Sequence, residues 1–193
     1  RMLMAGGWEM YWAVVCSGWS GVEDDFVGAD REAKARAREE EERAAARLFG
    51  LPNDHLSFLR LTETDDGLLA DTVENRLRFC KFLNAISPDL TLLPNREDHH
   101  PDHRLCYAWF ASWASGAGKP VIALGNEDPK TTDFSPDLQV VFGEETAEWK
   151  GNILECHRSQ SLRNQHTRGI TFAERILSMN RACIGVPGKY AER

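Results

Sequence analysis

Short apolar runs alternate along this chain with longer segments in which apolar residues recur every three or four positions. Short bounded runs are typical of buried strands, and the three-to-four spacing is typical of amphipathic helices. Strands are predicted at residues 11–15, 56–61, 90–93, 121–124 and 138–142. Helices are predicted at residues 30–49, 72–86, 103–115, 144–157 and 172–180, with the end of another helix at residues 1–5. This alternation predicts an α/β fold, a three-layer sandwich around a mainly parallel, Rossmann-like sheet.

Individual residues add three details to the predicted helices. Asp30 is the expected N-cap of the helix at 30–49. The charge run at 36–43 within it is most simply a solvated face, because opposite charges lie three and four residues apart. In the helix at 72–86, one apolar stripe is predicted, formed by Val73, Leu77, Cys80 and Leu83.

No internal repeat or long linker divides the sequence, so we expect residues 1–193 to form a single domain.

Composition and charge exclude several classes of partner. The 193 residues are 42% hydrophobic, which is enough for a sizeable core. Their net charge of −7 argues against a nucleic-acid partner. No apolar run approaches the length of a membrane span, so a membrane partner is not expected, while a homo-oligomer is possible. Five dispersed cysteines without a Cys-x-x-Cys pair indicate buried thiols of a reducing, cytoplasmic compartment. They are Cys16, Cys80, Cys106, Cys156 and Cys183.

The richest cluster of chemically useful side chains is the segment 98–103, with three histidines and two aspartates in six residues. Neutral imidazoles and carboxylates are ligands that zinc and other first-row divalent metals accept. A carboxylate beside a histidine also fixes the tautomer of the ring. Pro101 disfavours helical geometry at the residue before it, so His100 and His103 can converge on one point. The segment therefore predicts a metal or catalytic site, with a solvated polar turn as the alternative.

The position of this segment in the sequence is typical of a ligand-binding site. The apolar run before it is bounded by Pro88 and Pro94, and an apolar-rich helix ending at Gly116 follows it. The segment thus lies at the C-terminal end of a strand. Ligands bind at that edge in open parallel α/β sheets.

The sequence His100-Pro101-Asp102-His103-Arg104 resembles the second signature of the LmbE-like (PIG-L) family of zinc-dependent N-deacetylases. Weaker elements follow in the family's order over nearly the whole chain. They are Arg38 and Glu41, Leu48-Phe49-Gly50-Leu51, Phe58-Leu59-Arg60-Leu61, Asp65-Asp66-Gly67-Leu68-Leu69, Lys150 and Cys156-His157-Arg158-Ser159-Gln160. The resemblance implies a metal-dependent hydrolase that removes an N-acetyl or related N-acyl group from an amino sugar or its conjugate.

The resemblance also implies a role for individual residues. His103 would be a ligand of Zn²⁺ or another divalent metal, and His100, oriented by Asp102, would stabilise the oxyanion or protonate the leaving amine. Asp98 would support the loop from behind the ligands. Candidates for binding an N-acetylated sugar or glycoconjugate are Arg38, Asp65 and Asp66, although Asp65-Asp66-Gly67 is equally consistent with an ordinary turn. His99 is given no role, and His157 is expected to be structural.

The family's first signature, Ala-His-Pro-Asp-Asp, supplies two metal ligands and the general base and does not occur in residues 1–30. Asp24 and Asp25 form an acidic pair without a preceding His-Pro and are interpreted as loop acids. A helix end at residues 1–5 implies a strand before it, and we expect that strand and the first signature upstream of Arg1. Residues 1–193 alone are accordingly expected to bind metal poorly.

Two other functions remain open from the sequence. A degenerate, non-catalytic family member could bind a glycoside without cleaving it, as the missing signature suggests. A nucleotide-binding α/β protein is suggested by glycines at Gly18 and Gly21, but no Gly-x-Gly-x-x-Gly follows the strand at 11–15. The sequence upstream of Arg1 would distinguish the enzyme from the glycoside-binding protein.

Overall fold

The structure is a computed structural model that describes residues 2–129, 131 and 135–192. Its α-helices are α1 (Met2–Ala5), α2 (Asp24–Val27), α3 (Arg31–Phe49), α4 (Val73–Ile86), α5 (Pro101–Ser115), α6 (Glu144–Glu155), α7 (Arg158–Arg168) and α8 (Phe172–Ala182). Its strands are β1 (Trp12–Val14), β2 (Leu56–Phe58), β3 (Leu90–Pro94), β4 (Ile122–Asn126), β5 (Val140–Gly143) and β6 (Lys189–Glu192). In the described part of the chain no helix is both long and apolar enough to cross a membrane.

The chain forms two compact units. The first contains Arg1–Arg60 and Phe142–Tyr190, and the second contains Leu61–Val141 and Ala191–Arg193. Each unit contains one of the parallel strand pairs, β1 with β2 in the first and β3 with β4 in the second. The predicted α/β class with parallel strand pairing is therefore confirmed, whereas the single domain stays a prediction.

In the first unit, α3 begins and ends where the sequence predicts. The side chain of Asp30 accepts a hydrogen bond of 2.8 Å from Ala33 N. This contact satisfies one of the free N–H groups of the first turn. At the other end Gly50 has a φ of 91°, a left-handed conformation that costs glycine little. Next to it, the ring of Phe49 lies 4.8 Å from Trp12 and 5.4 Å from Trp149, so the helix end is fixed between aromatic neighbours.

The interpretation of residues 36–43 as a solvated helix face is wrong for part of the run. Arg36 and Arg43 do pair with glutamates four residues away, Arg36 with the exposed Glu32 and Arg43 with Glu39, whose side chain is only 16% exposed. Glu41, however, is only 5% exposed and accepts hydrogen bonds from Ser159 on α7. Charge spacing within one helix could not reveal this contact, because the partner lies 118 residues away.

In the second unit, α5 begins at Pro101, two residues earlier than predicted, and ends as expected before Gly116. Proline at the first position of a helix has a suitable φ and no N–H group left unpaired. His100 is the N-cap residue, because its ring accepts a hydrogen bond from Asp102 N. The motif therefore spans a helix start, which orients its side chains by regular geometry.

The predicted apolar stripe of α4 is only partly its buried face. Of its members, Leu83 is buried together with Asn75 and Phe79, whereas Val73 and Leu77 are 76% and 65% exposed. Phe79 packs edge-on against Trp109 of α5 at 5.7 Å. Asn75 hydrogen-bonds the backbone of Thr62 and Ala70, which precede the helix. The contacts of Phe79 and Asn75 turn their side of α4 toward the interior, so Val73 and Leu77 face solvent.

Asn75 should contribute strongly to the stability of the second unit. Its side chain accepts from Thr62 N at 3.0 Å and donates to Thr62 O and Ala70 O at 2.9 and 2.8 Å. Asn75→Ala removes the acceptor of Thr62 N, while Thr62 O and Ala70 O still accept from Ala70 N and Thr72 N. We therefore expect about 1–3 kcal/mol lower free energy of unfolding in urea titrations, mainly from the unpaired Thr62 N–H. Asn84→Ala on the exposed side of α4 is the control and should cost about 0.5 kcal/mol. Equal effects of the two substitutions would contradict this role of Asn75.

Helix α7 is not predicted by any pattern in the sequence. Its buried positions are Ser159, Ser161 and Asn164, so no apolar periodicity is available to predict it. Strand β6 and the four-residue helix α2, which contains Asp24 and Asp25, are not predicted either. Hydrogen bonding to distant residues, rather than hydrophobic patterning, determines where α7 packs.

Candidate active site

The segment 98–103 occupies the connection from β3 to α5 in the second unit. Asp98 has a fully buried side chain, and its backbone N–H donates to Asn95 O at 3.3 Å. Asp98 also forms an isolated antiparallel bridge with Thr131. The polar segment is therefore a fixed loop at the end of a strand and does not resemble a freely solvated turn.

The carboxylate of Asp98 organises this loop. One oxygen accepts a hydrogen bond of 2.7 Å from His100 N, and the other lies 2.7 Å from His103 Nδ1. The guanidinium of Arg104 donates to Asp98 O at 2.7 Å and to His99 O at 2.8 Å. A buried carboxylate is costly unless it is hydrogen-bonded, and here both of its oxygens have partners.

The contact with Asp98 determines the tautomer of His103. A buried carboxylate flanked by donors accepts hydrogen bonds, so Nδ1 of His103 carries the proton. The lone pair of a neutral ring is then on Nε2. A carboxylate behind a histidine is the usual arrangement around protein metal ligands, and the chemistry of His103 fits a metal ligand.

The ring of His100 has the opposite arrangement. Its Nδ1 accepts a weak hydrogen bond of 3.3 Å from Asp102 N. This contact places the proton of a neutral ring on Nε2. The nearer oxygen of the Asp102 carboxylate lies 3.9 Å from Nδ1, beyond hydrogen-bond distance. The rings of His100 and His103 stack with centroids 4.9 Å apart. Because their neutral tautomers differ, His100 presents a protonated Nε2 and His103 an unprotonated Nε2.

Asp102 instead contacts the segment that contains the two candidate sugar-binding aspartates. Its carboxylate accepts a hydrogen bond of 2.9 Å from Leu69 N. Leu69 pairs with Glu63 across a tight turn, and Asp65 and Asp66 are exposed at the tip of that turn. The aspartates are therefore accessible, and their turn is tied to the motif through Asp102.

Cys106 lies one helical turn after Asp102 and is not a candidate nucleophile. Burial, together with the negative charge of Asp102, raises the pKa of its thiol to about 12. A cysteine needs its thiolate form to attack a carbonyl carbon. The motif therefore offers imidazole and carboxylate chemistry without a cysteine nucleophile.

Arg38, the third residue predicted to bind substrate, belongs to the first unit. Its side chain is 24% exposed, and Nη1 donates to Glu41 Oε2 at 2.9 Å.

The turn containing Gly18 and Gly21 also lies in the first unit. Gly21 O accepts from Gln160 Nε2 at 3.0 Å, so this turn packs against α7, and nothing in its geometry favours the nucleotide-binding alternative.

His157, at the N-terminus of α7, has the properties of a structural residue. Burial lowers the pKa of its imidazole to about 4, and the positive charge of Arg38 contributes to the same shift. Its ring lies edge-on to Phe172 at 6.2 Å, and its buried Nδ1 has no hydrogen-bond partner in the described residues. The ring is therefore neutral at pH 7.

The lowered pKa of His157 predicts a pH-dependent stability. Between pH 6.5 and pH 4 the unfolded chain binds a proton at this residue that the folded chain excludes, so stability is lost as the pH falls through this range. We expect His157 to account for about 2 kcal/mol of the stability lost between pH 7 and pH 4.5. Urea unfolding of wild type and His157→Gln at both pH values measures it. A His157→Gln protein with the same loss as wild type would contradict the shift.

A second group of potential metal ligands, in the first unit, was not predicted. Ligand atoms of Glu23, Asp25 and His166 lie within 4.8 Å of one another, the only such group of three among the described residues. His166 Nδ1 is already 2.6 Å from Glu23 Oε2, and the side chains of Asp25 and His166 are largely exposed. An exposed hydrogen bond between His166 and Glu23 explains these contacts, and we assign no metal to them.

Solved structures with the same fold include enzymes of two reaction types. N,N'-diacetylchitobiose deacetylase from Pyrococcus horikoshii is 22% identical, with 100% of this chain and 74% of that chain covered and a TM-score of 0.70. The A40926 pseudoaglycone deacetylase Dbv21 is 16% identical, with 98% and 86% covered and a TM-score of 0.72. The 4-carboxy-2-hydroxymuconate hydratase GalB from Pseudomonas putida is 17% identical, with 99% and 85% covered and a TM-score of 0.70. These likenesses show the fold.

Family membership comes from the sequence match. Comparison with curated protein sequences gives no match. The family described as PIG-L: GlcNAc-PI de-N-acetylase matches residues 1–114, which include the whole 98–103 segment and the start of the chain. The match covers more than half of the 193 residues and confirms the resemblance inferred from the motifs. This chain therefore belongs to the PIG-L (LmbE-like) family.

Proposed function

We propose that this protein is a metal-dependent hydrolase that removes an N-acetyl or related N-acyl group from an amino sugar or its conjugate. The observation that carries the proposal is the pair of histidines with opposite tautomers, arranged by Asp98 and by the first turn of α5. Membership of a de-N-acetylase family supports the same reaction. The fold alone does not, because the hydratase GalB shares it.

His103 is the residue of this chain that would hold the metal, through Nε2. The ion would be Zn²⁺ or another divalent first-row metal, since an imidazole supported by a carboxylate suits these ions. When bound, such a metal supplies Lewis-acid polarisation of the amide carbonyl and lowers the pKa of a coordinated water. Asp98 keeps the proton of His103 on Nδ1 and so keeps the ligand atom available.

His100 would act on the reacting amide directly. Its Nε2–H can donate a hydrogen bond to the oxyanion that develops as the carbonyl is attacked, and a protonated ring can transfer a proton to the leaving amine. Its position as N-cap holds the ring at the helix start before substrate arrives. Because no reorganisation is then needed during the reaction, the donor stabilises the transition state more effectively.

The remaining candidates would bind the sugar. Asp65 and Asp66 are exposed carboxylates that can accept hydrogen bonds from sugar hydroxyls, and the tie from Leu69 N to Asp102 fixes their turn relative to the motif. Arg38 supplies a partly exposed guanidinium in the first unit. We also propose a reducing, cytoplasmic compartment, because all five cysteines are free thiols.

Acetate release from N,N'-diacetylchitobiose by the natural full-length protein tests the proposal. We expect release after incubation with zinc, its loss on dialysis against a chelator, and its recovery when zinc is added back. Calorimetric titration with the same sugar tests the glycoside-binding alternative. Binding without release of acetate, at any metal content, would support that alternative and contradict the hydrolase.

A further inference from the structure

Glu41 is a buried carboxylate that the proposed function does not use. It lies on α3, three residues after Arg38, on the helix face that contacts α7. Its side chain is only 4% exposed. An ionised carboxylate at such a position is costly, and it is retained in a structure only where several donors compensate the loss of water.

Three donors surround this carboxylate. Ser159 N donates to Oε1 at 2.7 Å, and Ser159 Oγ donates to Oε2 at 2.8 Å. The third donor is Arg38 Nη1, which also binds Oε2, at 2.9 Å. Ser159 is itself fully buried, so the N-terminal turn of α7 holds the carboxylate in one orientation.

We propose that Glu41 is a positioning residue for Arg38, and that Ser159 fixes Glu41 for this purpose. Nη1 of the guanidinium is held by the rigid carboxylate at 2.9 Å, and the Arg38 side chain is still 24% exposed. A planar guanidinium recognises its ligand through fixed donor directions, so restricting it before binding lowers the entropy cost of recognition. The inference rests on the proposed function in one respect, which is that Arg38 binds the substrate.

The substitution Glu41→Gln should break the contact with Arg38 and keep the contact with Ser159. A glutamine oxygen can still accept from Ser159, but its amide nitrogen is a donor and cannot accept from Arg38. Arg38 should therefore be released while α3 and α7 stay together. Glu39→Gln is the matched control, because Glu39 is on the same helix and pairs with Arg43 and Arg60 instead.

The first readout does not depend on activity. In protein labelled with ¹⁵N-arginine, the Nε–Hε signal of Arg38, identified by its loss in Arg38→Lys, reports how firmly the guanidinium is held. We expect its hydrogen exchange with water to become about tenfold faster in Glu41→Gln and to stay unchanged in Glu39→Gln. Unchanged exchange in Glu41→Gln would overturn the positioning role, whatever the enzyme does.

The second readout is the kinetics of acetate release from N,N'-diacetylchitobiose. Glu41→Gln should raise KM about tenfold with kcat within about threefold of wild type, as Arg38→Lys should, and the double variant should be no worse than Arg38→Lys alone. A fall in kcat at unchanged KM, or additive losses in the double variant, would overturn the proposal. If exchange at Arg38 responds as expected but wild type releases no acetate, the positioning role stands and the proposed function fails.

A loss of folding could imitate these effects, so a milder variant accompanies Glu41→Gln. Ser159→Ala removes the Oγ contact and keeps the backbone donor and the charge of Glu41. We expect a smaller change in the same direction, about threefold in both the exchange rate and KM, at a melting temperature close to that of wild type. If Ser159→Ala and Glu39→Gln affect Arg38 equally, the effect is general and the proposal is wrong.

Discussion

His103→Ala is expected to abolish metal binding and hydrolysis together in the natural full-length protein. His103 is the one residue of the 98–103 segment whose ring presents an unprotonated Nε2 while Nδ1 is held by a buried carboxylate. A metal site that loses one of three protein ligands does not retain the ion well. Metal content by elemental analysis and the rate of acetate release should therefore both fall to background.

Two neighbouring substitutions make this prediction specific. His99→Ala removes an exposed histidine of the same loop, and its backbone carbonyl can still accept from Arg104, so it should keep full metal content and activity. Asp98→Asn should weaken metal affinity about 10- to 100-fold without abolishing binding, because it disturbs the hydrogen bond behind the ligand. Metal retained in His103→Ala, or lost in His99→Ala, would refute the assignment of the ligand.

His100→Ala is expected to keep its metal and to lose about 100-fold or more in kcat. The proposed contribution of its Nε2–H is confined to the transition state, so ground-state binding of metal and sugar should change little. The alanine also removes the N-cap of α5, which should cost about 1 kcal/mol of stability. Metal content, kcat and urea unfolding measured on one preparation separate these two losses.

His100→Asn separates the proposed catalytic role of His100 from its role as the N-cap of α5. Asparagine is a good N-cap residue, so this variant should recover the stability of α5 but not the turnover. Asp102→Asn should have a turnover between those of wild type and His100→Ala, since it changes the surroundings of the imidazole without removing it. If His100→Ala lost the metal while His103→Ala kept it, the two roles would be reversed.

Local rules are sufficient to predict much of the fold. The ends of α3 follow from Asp30 and Gly50, and the end of α5 follows from Gly116, because capping depends on residues adjacent in the sequence. Strands β1 to β5 occur where short apolar runs predict them, since a buried strand needs little else. The density of histidine and aspartate in residues 98–103 likewise marks the candidate site without any knowledge of tertiary contacts.

The sequence by itself determined most of the helices and strands and the candidate site residues, and only the tertiary structure decided which faces are buried and how the side chains are held. Asn75 and Phe79 are buried on α4 in place of Val73 and Leu77 because their partners lie outside the helix. Helix α7 and the burial of Glu41 depend on contacts across 118 residues, which no local pattern encodes. Asp98 decides the tautomer of His103 through a distance of 2.7 Å, because hydrogen bonding depends on where atoms meet in space.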